Sequence, residues 1–314
     1  MIKPDLSIIV PNYNNGQYLE ECLNSLIHQS HKSIEIVVVD DNSSDNSMEV
    51  LNEFIKKDKR LRVLQNKKNM GVGFSKRKGV QYSKAELVGT MGSDDVLTQD
   101  AAAKMINAHR KNPEASLVYS THFICNERLK IININDKVEQ IPDDETYLNY
   151  SKYTSESVSS FRVFKREYYN KTEGYSSRYK KAVDKDIIFK LEEAGKLVFM
   201  NQPLYMYRHH PNNISRNLNS WKAAFWEVRA KEDAYYRRKN TSIPNIDKSQ
   251  LQAEYYNVLK ESALENISLR KYSALIRDFY NFLLKIKNPL STIKFAIYIF
   301  KKVRFPESFI TSKY

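Results

Sequence analysis

Short apolar runs alternate with amphipathic stretches along the first two thirds of the chain. Residues 6–10, 34–39, 61–64, 86–91 and 116–123 are rich in aliphatic and β-branched side chains, which predicts strands. Ile36-Val37-Val38-Val39 has no polar alternation, as expected for a parallel strand covered on both faces. Residues 17–29 place Leu19, Cys22, Leu23, Leu26 and Ile27 on one helical face. Residues 47–57 do the same with Met48, Val50, Leu51, Phe54 and Ile55, and a helix over 98–111 stops before Pro113. Strand and helix in alternation predict an α/β fold with a doubly wound sheet. Residues 126–157 have weak periodicity and read as a loop region. A strand at 159–164, a helix at 184–193 stopped by Gly195 and a strand at 197–199 follow.

Beyond Asn217 the pattern is helical throughout. Trp221, Phe225 and Val228 share a face, as do Leu251, Tyr255, Val258 and Leu259, then Leu275, Ile276, Phe279 and Leu283. The expected division is an α/β domain over 1–216 and a helical extension over 217–314. The last helix starts with Asn288 as cap and Pro289 at its first position. Leu290, Ile293, Ile297, Phe300 and Val303 make one apolar stripe, with Lys287, Lys294 and Lys301 spaced by seven and Lys302 and Arg304 at the end. Such a helix either lies on an anionic membrane surface or packs on the domain with its lysines solvated.

Charge sharpens that choice. The chain carries 50 Lys and Arg against 37 Asp and Glu, a net +13, and so calls for an anionic partner. Cys22 and Cys125 cannot form a disulfide framework and read as reduced core residues of a cytoplasmic protein. No signal peptide and no stretch of ~20 apolar residues is evident, so the expected location is the cytoplasm or the inner membrane face.

Ligands of open α/β sheets bind at the carboxyl ends of the strands. Three polar turns fall there: Pro11-Asn12-Tyr13-Asn14-Asn15-Gly16, Asp40-Asp41-Asn42-Ser43-Ser44-Asp45 and Gly92-Ser93-Asp94-Asp95. Singly, each could merely cap the next helix, as Ser44 or Asp45 could before Ser47. Together they gather carboxylates at one edge, where mutual repulsion calls for a divalent cation or specific donors. Other phosphate motifs fail. Gly71-Val72-Gly73 has no glycine three residues on, no Walker lysine motif exists, and 40–53 lacks the glycine and glutamate of a calcium loop.

The chain resembles glycosyltransferase family 2 over residues 5 to about 215. The resemblance rests on Ser7-Ile8-Ile9-Val10-Pro11-Asn12-Tyr13-Asn14, Ile36 to Asp45, Asn69-x-Gly71 with Arg77 after it, and Gly92-Ser93-Asp94-Asp95. Asp184-Lys185-Asp186, Gln202-Pro203-Leu204-Tyr205 and Tyr207-Arg208-His209-His210 continue it in order. It implies the GT-A fold, a Rossmann-like mixed sheet with helices on both faces, and an inverting transfer that uses Mn²⁺ or Mg²⁺. Pro11 and Tyr13 would line the base and ribose pocket, and Asp41 would accept the imide hydrogen of a uracil-type base. Arg77 and Ser93 would lie near the nucleotide. Asp94, supported by Asp95, would hold the metal, His210 would touch diphosphate or metal, and Asp184 would be the general base. The partners implied are a nucleotide-sugar donor and a glycan or lipid-linked acceptor of envelope polysaccharide, with an anionic membrane surface against 288–304 and no nucleic acid.

Two departures from the family pattern stand out. Gly92 replaces the first acid of the metal-binding element, and Val183 replaces the acid before the base. The rival readings are a sugar-nucleotide nucleotidyltransferase and a non-catalytic basic module for membrane or nucleic acid. The first lacks its glycine-rich, arginine-bearing loop after the first strand, and the second has no use for Asp41, Asp94 and Asp184.

Overall fold

The computed structural model of the protein describes residues 3–150, 156–211, 220–269, 271–286 and 289–304. The chain runs β1 (Leu6–Asn12), α1 (Gly16–Ile27), β2 (Ile34–Asp40), α2 (Ser47–Lys57), β3 (Leu61–Gln65), α3 (Val72–Tyr82), β4 (Leu87–Thr90), β5 (Val96–Leu97) and α4 (Ala101–Lys111). It continues with β6 (Ala115–Cys125), β7 (Ile131–Ile134), α5 (Tyr147–Tyr150), β8 (Arg162–Lys165), α6 (Arg166–Asn170), α7 (Val183–Ala194) and β9 (Lys196–Arg208). Helices α8 (Ser220–Arg238), α9 (Lys248–Ser268), α10 (Tyr272–Ile286) and α11 (Pro289–Arg304) follow.

The described strands form one mixed sheet in the order β3-β2-β1-β4-β8-β6-β9-β5, with β7 paired to β6. β1 lies parallel to both β2 and β4, while β8 runs antiparallel to β4 and β6. The chain leaves β1 toward β2 and β3, then returns to the other side of β1 as β4. That reversal opens a crevice at the carboxyl ends of β1, β2 and β4. Both faces of the sheet are covered, which is why β2 lacks polar alternation. Ile36 and Val38 join a core with Leu19, Leu23 and Phe54 of α1 and α2, while Val37 and Val39 face Val80, Val183 and Ile187 of α3 and α7.

Several elements differ from the sequence expectation. The 126–157 segment, expected as loop, contains β7 and the single turn α5. β9 extends through Pro203 to Arg208, with register shifts against β6 near Ser120 and Thr121 that let the proline sit in a strand. Cys22 and Cys125 are free and buried. His109 is buried with its ring nitrogen 2.9 Å from the Val163 carbonyl, and burial lowers its pKa to about 4.

The C-terminal helices attach through two kinds of contact. Ala230 and Ala234 of α8 are fully buried in the core that includes α7. The Arg238 side chain is fully buried; it donates to Glu192 at 2.8 Å, to Glu193 at 3.0 Å and to the Phe189 carbonyl at 3.2 Å. Val228 on another face of α8 instead joins Leu251, Tyr255, Val258 and Phe295 in a third cluster built from α9 and α11. Among the described side chains of α11, Phe295 and Ile299 are therefore the inward ones, and Ile293, Ile297 and Phe300 of the sequence-predicted stripe point out, exposed at 54%, 49% and 62%. Ile276 and Tyr280 of α10 are exposed as well. Asn288 and Lys287 lie outside the described residues, as do the side chains of Phe279, Leu283, Leu290, Lys301, Lys302, Val303 and Arg304. No described helix is long and apolar enough to cross a membrane.

Removing Arg238 takes from Glu192 its one ion-pair partner among the described residues, while Glu193 keeps Arg237. Arg238→Leu should lower the unfolding free energy by about 3–5 kcal/mol, measured by denaturant titration. A loss below about 1 kcal/mol would place α8 outside the structural core.

Candidate active site

The turns after β1 and β2 lock onto each other. Asn12 donates to Asp40 at 2.9 Å, and the Ser43 backbone N–H donates to the same carboxylate at 3.1 Å. Asp40 is thereby consumed in shaping the turn. Asp45 accepts from the backbone of Gly16 at 2.8 Å and of Ser47 at 3.0 Å, so it caps helices as the simpler reading of this turn expects. Asp41 does something else. Its carboxylate accepts from Asn66 at 2.7 Å, from the Met70 N–H at 2.8 Å and from the Gly71 N–H at 2.7 Å. Gly71 sits at φ +88°, a left-handed conformation that lets these successive N–H groups converge on one acid. A carboxylate offers about four acceptor sites, so Asp41 keeps one lone-pair direction beyond these three.

The turn after β4 is fastened to the end of β9. Asp95 is buried; Tyr205 donates its hydroxyl to one oxygen and the Arg208 N–H donates to the other at 2.8 Å. Burial, then the Asp94 charge, push its carboxyl well above the usual range. Asp95 was expected beside Asp94 at the metal, but the structure has both its oxygens engaged by protein donors. Asp94 lies 3.0 Å from His210 Nε2, and the His210 ring packs on Tyr18 with centroids 4.6 Å apart. Arg208 completes the corner by donating to the Asp94 carbonyl at 2.6 Å and to Glu21 at 2.6 Å. The motif Tyr207-Arg208-His209-His210 contains this arginine without disclosing that role. Gly92 has a steric reason here: a Cβ would come within 2.5 Å of an Asp94 oxygen and 2.8 Å of an Asp95 oxygen. A third acid at 92 would crowd this arrangement of the turn.

Asp184 lies in the first turn of α7 and lines one cavity with Asp41 and Asp94. Lys76 of α3 donates to one of its oxygens and Arg162 of β8 donates to the other at 2.9 Å. Burial would raise this carboxyl, but Arg162, Lys76 and Lys185 outweigh it and hold it well below the ordinary range. Asp184 is therefore ionised throughout neutral pH. Its contribution to stability is present above the unfolded-state value and is lost only as pH falls through the depressed folded one. Arg77 does not reach this site. The buried side of α3 carries Gly73, Ser75, Lys76 and Gly79, so residue 76 faces inward while exposed Arg77 donates to the Glu173 carbonyl at 3.0 Å. Neither Lys76 nor Arg162 is evident from the sequence; only the helical phase of residues 72–82 could have hinted at the first.

One cavity of about 740 Å³ joins these pieces, lined among others by Asp41, Lys76, Asp94, Arg162, Asp184 and His210. Pro11, Tyr13, Ser93 and Asp95 also line it, and Tyr13 is 47% exposed at its rim. Among the described residues no group of three or more His, Cys, Asp and Glu is arranged to hold a metal ion. Asp94 and His210, 3.0 Å apart in the wall, could offer one oxygen and one nitrogen ligand. That donor set suits Mn²⁺ or Mg²⁺ when a ligand's phosphate oxygens and waters complete the shell.

Asp41 is an anchor as well as a site residue. Asp41→Ala should lower the unfolding free energy by at least about 1.5–3 kcal/mol, the value of one hydrogen bond to a charged group, and speed proteolysis within 66–71. Unchanged stability in denaturant titration would show that the loop holds its shape without this carboxylate.

The chain matches the model of glycosyl transferase family 2 over residues 7–172. It is 27% identical to the glycosyltransferase GlyG of Streptococcus pneumoniae over 269 residues, 82% of this chain and 87% of that protein. It is 29% identical to the chondroitin synthase of Pasteurella multocida over 223 residues, 70% of this chain but only 22% of the synthase. In fold it is similar to S. aureus TarS, with a TM-score of 0.63 at 18% identity, covering 99% of this chain and 56% of TarS. It is also similar to the mannosyltransferase PcManGT from Pyrobaculum calidifontis, with a TM-score of 0.58 at 14% identity, covering 98% of this chain and 89% of that one. The mixed sheet, the crevice at its switch point and the acid turn after β4 are thus those of the GT-A fold, and the chain belongs to glycosyl transferase family 2.

Proposed function

We propose that this protein is a metal-dependent, inverting glycosyltransferase that moves a sugar from a UDP-linked donor to a glycan or lipid-linked acceptor of an envelope polysaccharide. The observation that carries this reading is that one cavity is lined by Asp41, by Asp94 with His210 3.0 Å from it, and by Asp184. Solved relatives in fold support the donor class and the metal. TarS has been solved with UDP-GlcNAc, and PcManGT with GDP-Man and Mn²⁺. The named relatives include a chondroitin synthase, which supports a polysaccharide product.

In this reading Pro11 and Tyr13 flank the nucleoside, and the open acceptor direction of Asp41 takes the imide N–H of uracil. Asp94 and His210 hold the cation, which when bound supplies Lewis-acid stabilisation of the departing diphosphate. Asp184 removes the proton from the acceptor hydroxyl as its oxygen bonds to the anomeric carbon. The bond from that carbon to the diphosphate oxygen breaks, and direct displacement inverts the centre. No covalent sugar–enzyme intermediate is needed.

The outward stripe of α11 adds a place for the reaction. Ile293, Ile297 and Phe300 are exposed beside exposed Lys294 on a chain of net charge +13. That combination fits a peripheral seat on an anionic membrane, where a lipid-linked acceptor would be presented.

UDP with Mn²⁺ or Mg²⁺ should raise the melting temperature more than UDP in chelator, and more than GDP with the same metal. Stabilisation by GDP alone would overturn the uracil assignment. Asp184→Asn should abolish sugar transfer while the protein still binds nucleotide, and retained turnover would remove Asp184 as the base. Ile297→Asp with Phe300→Asp should abolish co-sedimentation with phosphatidylglycerol vesicles; equal sedimentation of this variant and the parent would remove the membrane seat.

A further inference from the structure

Asp184 as it stands is a poor base. Each of its two oxygens already holds a cation, Lys76 on one and Arg162 on the other. A base works best when its pKa lies near the working pH, and this carboxyl is held far below it. The cations are also the more buried members: the side chains of Lys76 and Arg162 are 9% and 14% exposed, against 35% for Asp184. Asp184 is the one ion-pair partner that either cation has among the described residues. Two buried positive charges therefore share a single negative one, and the excess sits in the wall of the cavity that also carries Asp94 and His210.

Buried charge without a full partner is costly, and a cavity edged by such charge draws anions. We infer that Lys76 and Arg162 are shared between Asp184 and the diphosphate of the donor, so that donor binding draws a cation off Asp184 and frees a carboxylate oxygen for the acceptor hydroxyl. Both are positioning residues in this scheme, acting on the acceptor through Asp184. The consequence is order. Without donor, the base is capped by its own ion pairs and cannot activate an acceptor or a water molecule. With donor bound, the cations neutralise the diphosphate and Asp184 faces the acceptor side with one oxygen open. This inference rests on Asp184 being the base, but the competition for cations can be read without any turnover.

The test is a binding cycle on the full chain with Mg²⁺ present, using UDP and GDP as probes and following whichever binds more tightly by calorimetry. Competition predicts that Asp184→Asn tightens nucleoside diphosphate binding by about tenfold, since the internal rival for the cations is gone. Lys76→Met should weaken binding by about tenfold, and in a background that lacks both cations (Lys76→Met with Arg162→Gln) adding Asp184→Asn should change affinity by less than about twofold. Lys76→Arg, which keeps the charge, should restore the parent's affinity to within a few-fold, as expected for a shared cation. Unchanged or weakened binding in Asp184→Asn would overturn the inference. So would a gain of full size in the background that lacks both Lys76 and Arg162, because that is a general field effect and not competition. Failure of both diphosphates to bind the parent protein would overturn it too. If the variant lacking both cations does not fold, the cycle is run on Lys76→Met and on Arg162→Gln singly, where the gain from Asp184→Asn should be smaller than in the parent; a gain as large as the parent's in both would overturn the inference. Turnover retained by Asp184→Asn alongside tighter binding would refute the base and leave the shared cations standing.

Discussion

Acidic side chains crowd one cavity of this protein, and the cost of keeping them there organises everything around it. Like charges held close in a partly buried site repel, so each carboxylate needs donors of its own. Asp41 takes them from the backbone of Met70 and Gly71, which fixes the loop before α3. Asp95 takes them from Tyr205 and Arg208, which fastens β9 to the turn after β4. Asp184 takes them from Lys76 and Arg162, two cations brought from α3 and β8. The way each acid is satisfied decides what it can do next. A carboxylate held by backbone N–H groups stays fixed, whereas one held by side-chain cations can give one up to a rival anion.

The sheet edge supplies this geometry at low cost. The β1, β2 and β4 strands end together because they are parallel neighbours, and the reversal of strand order leaves their carboxyl ends uncovered. The helical extension is joined to this unit at α8, whose buried Arg238 meets Glu192 and Glu193 at the end of α7, the helix that begins with Asp184. The far end of that helix is thus held by a buried ion cluster, while its first turn lines the cavity.

Much of this is legible in the sequence, for physical reasons that can be named. A strand buried on both faces must be apolar without alternation, and 36–39 declares itself in that way. Turn residues at the ends of apolar runs are enough to put Asp41 and the 92–95 element on one edge. What the sequence does not carry is direction. Asp94 and Asp95 are adjacent and chemically identical, yet one faces the cavity wall beside His210 and the other turns inward to Tyr205. Arg77 and Lys76 differ by one position, about a third of a helical turn, and only the inner one reaches the site. Lys76 and Arg162 meet Asp184 across 108 and 22 residues of sequence, a pairing that exists only once the sheet has formed. The last helix shows the same limit: its apolar stripe is visible in the sequence, but not that Phe295 and Ile299 are the inward side.

The proposed chemistry turns on Asp94 and His210 holding a cation against the donor diphosphate while Asp184 serves as the base. The most direct measurement is a crystal structure of the protein with UDP and Mn²⁺, with anomalous scattering collected to locate the manganese. The expected result is one strong anomalous peak at about 2.0–2.3 Å from an Asp94 oxygen, with oxygens of the UDP diphosphate in the same coordination shell. A peak bound by other residues, or a UDP diphosphate seated away from Asp94, would contradict it.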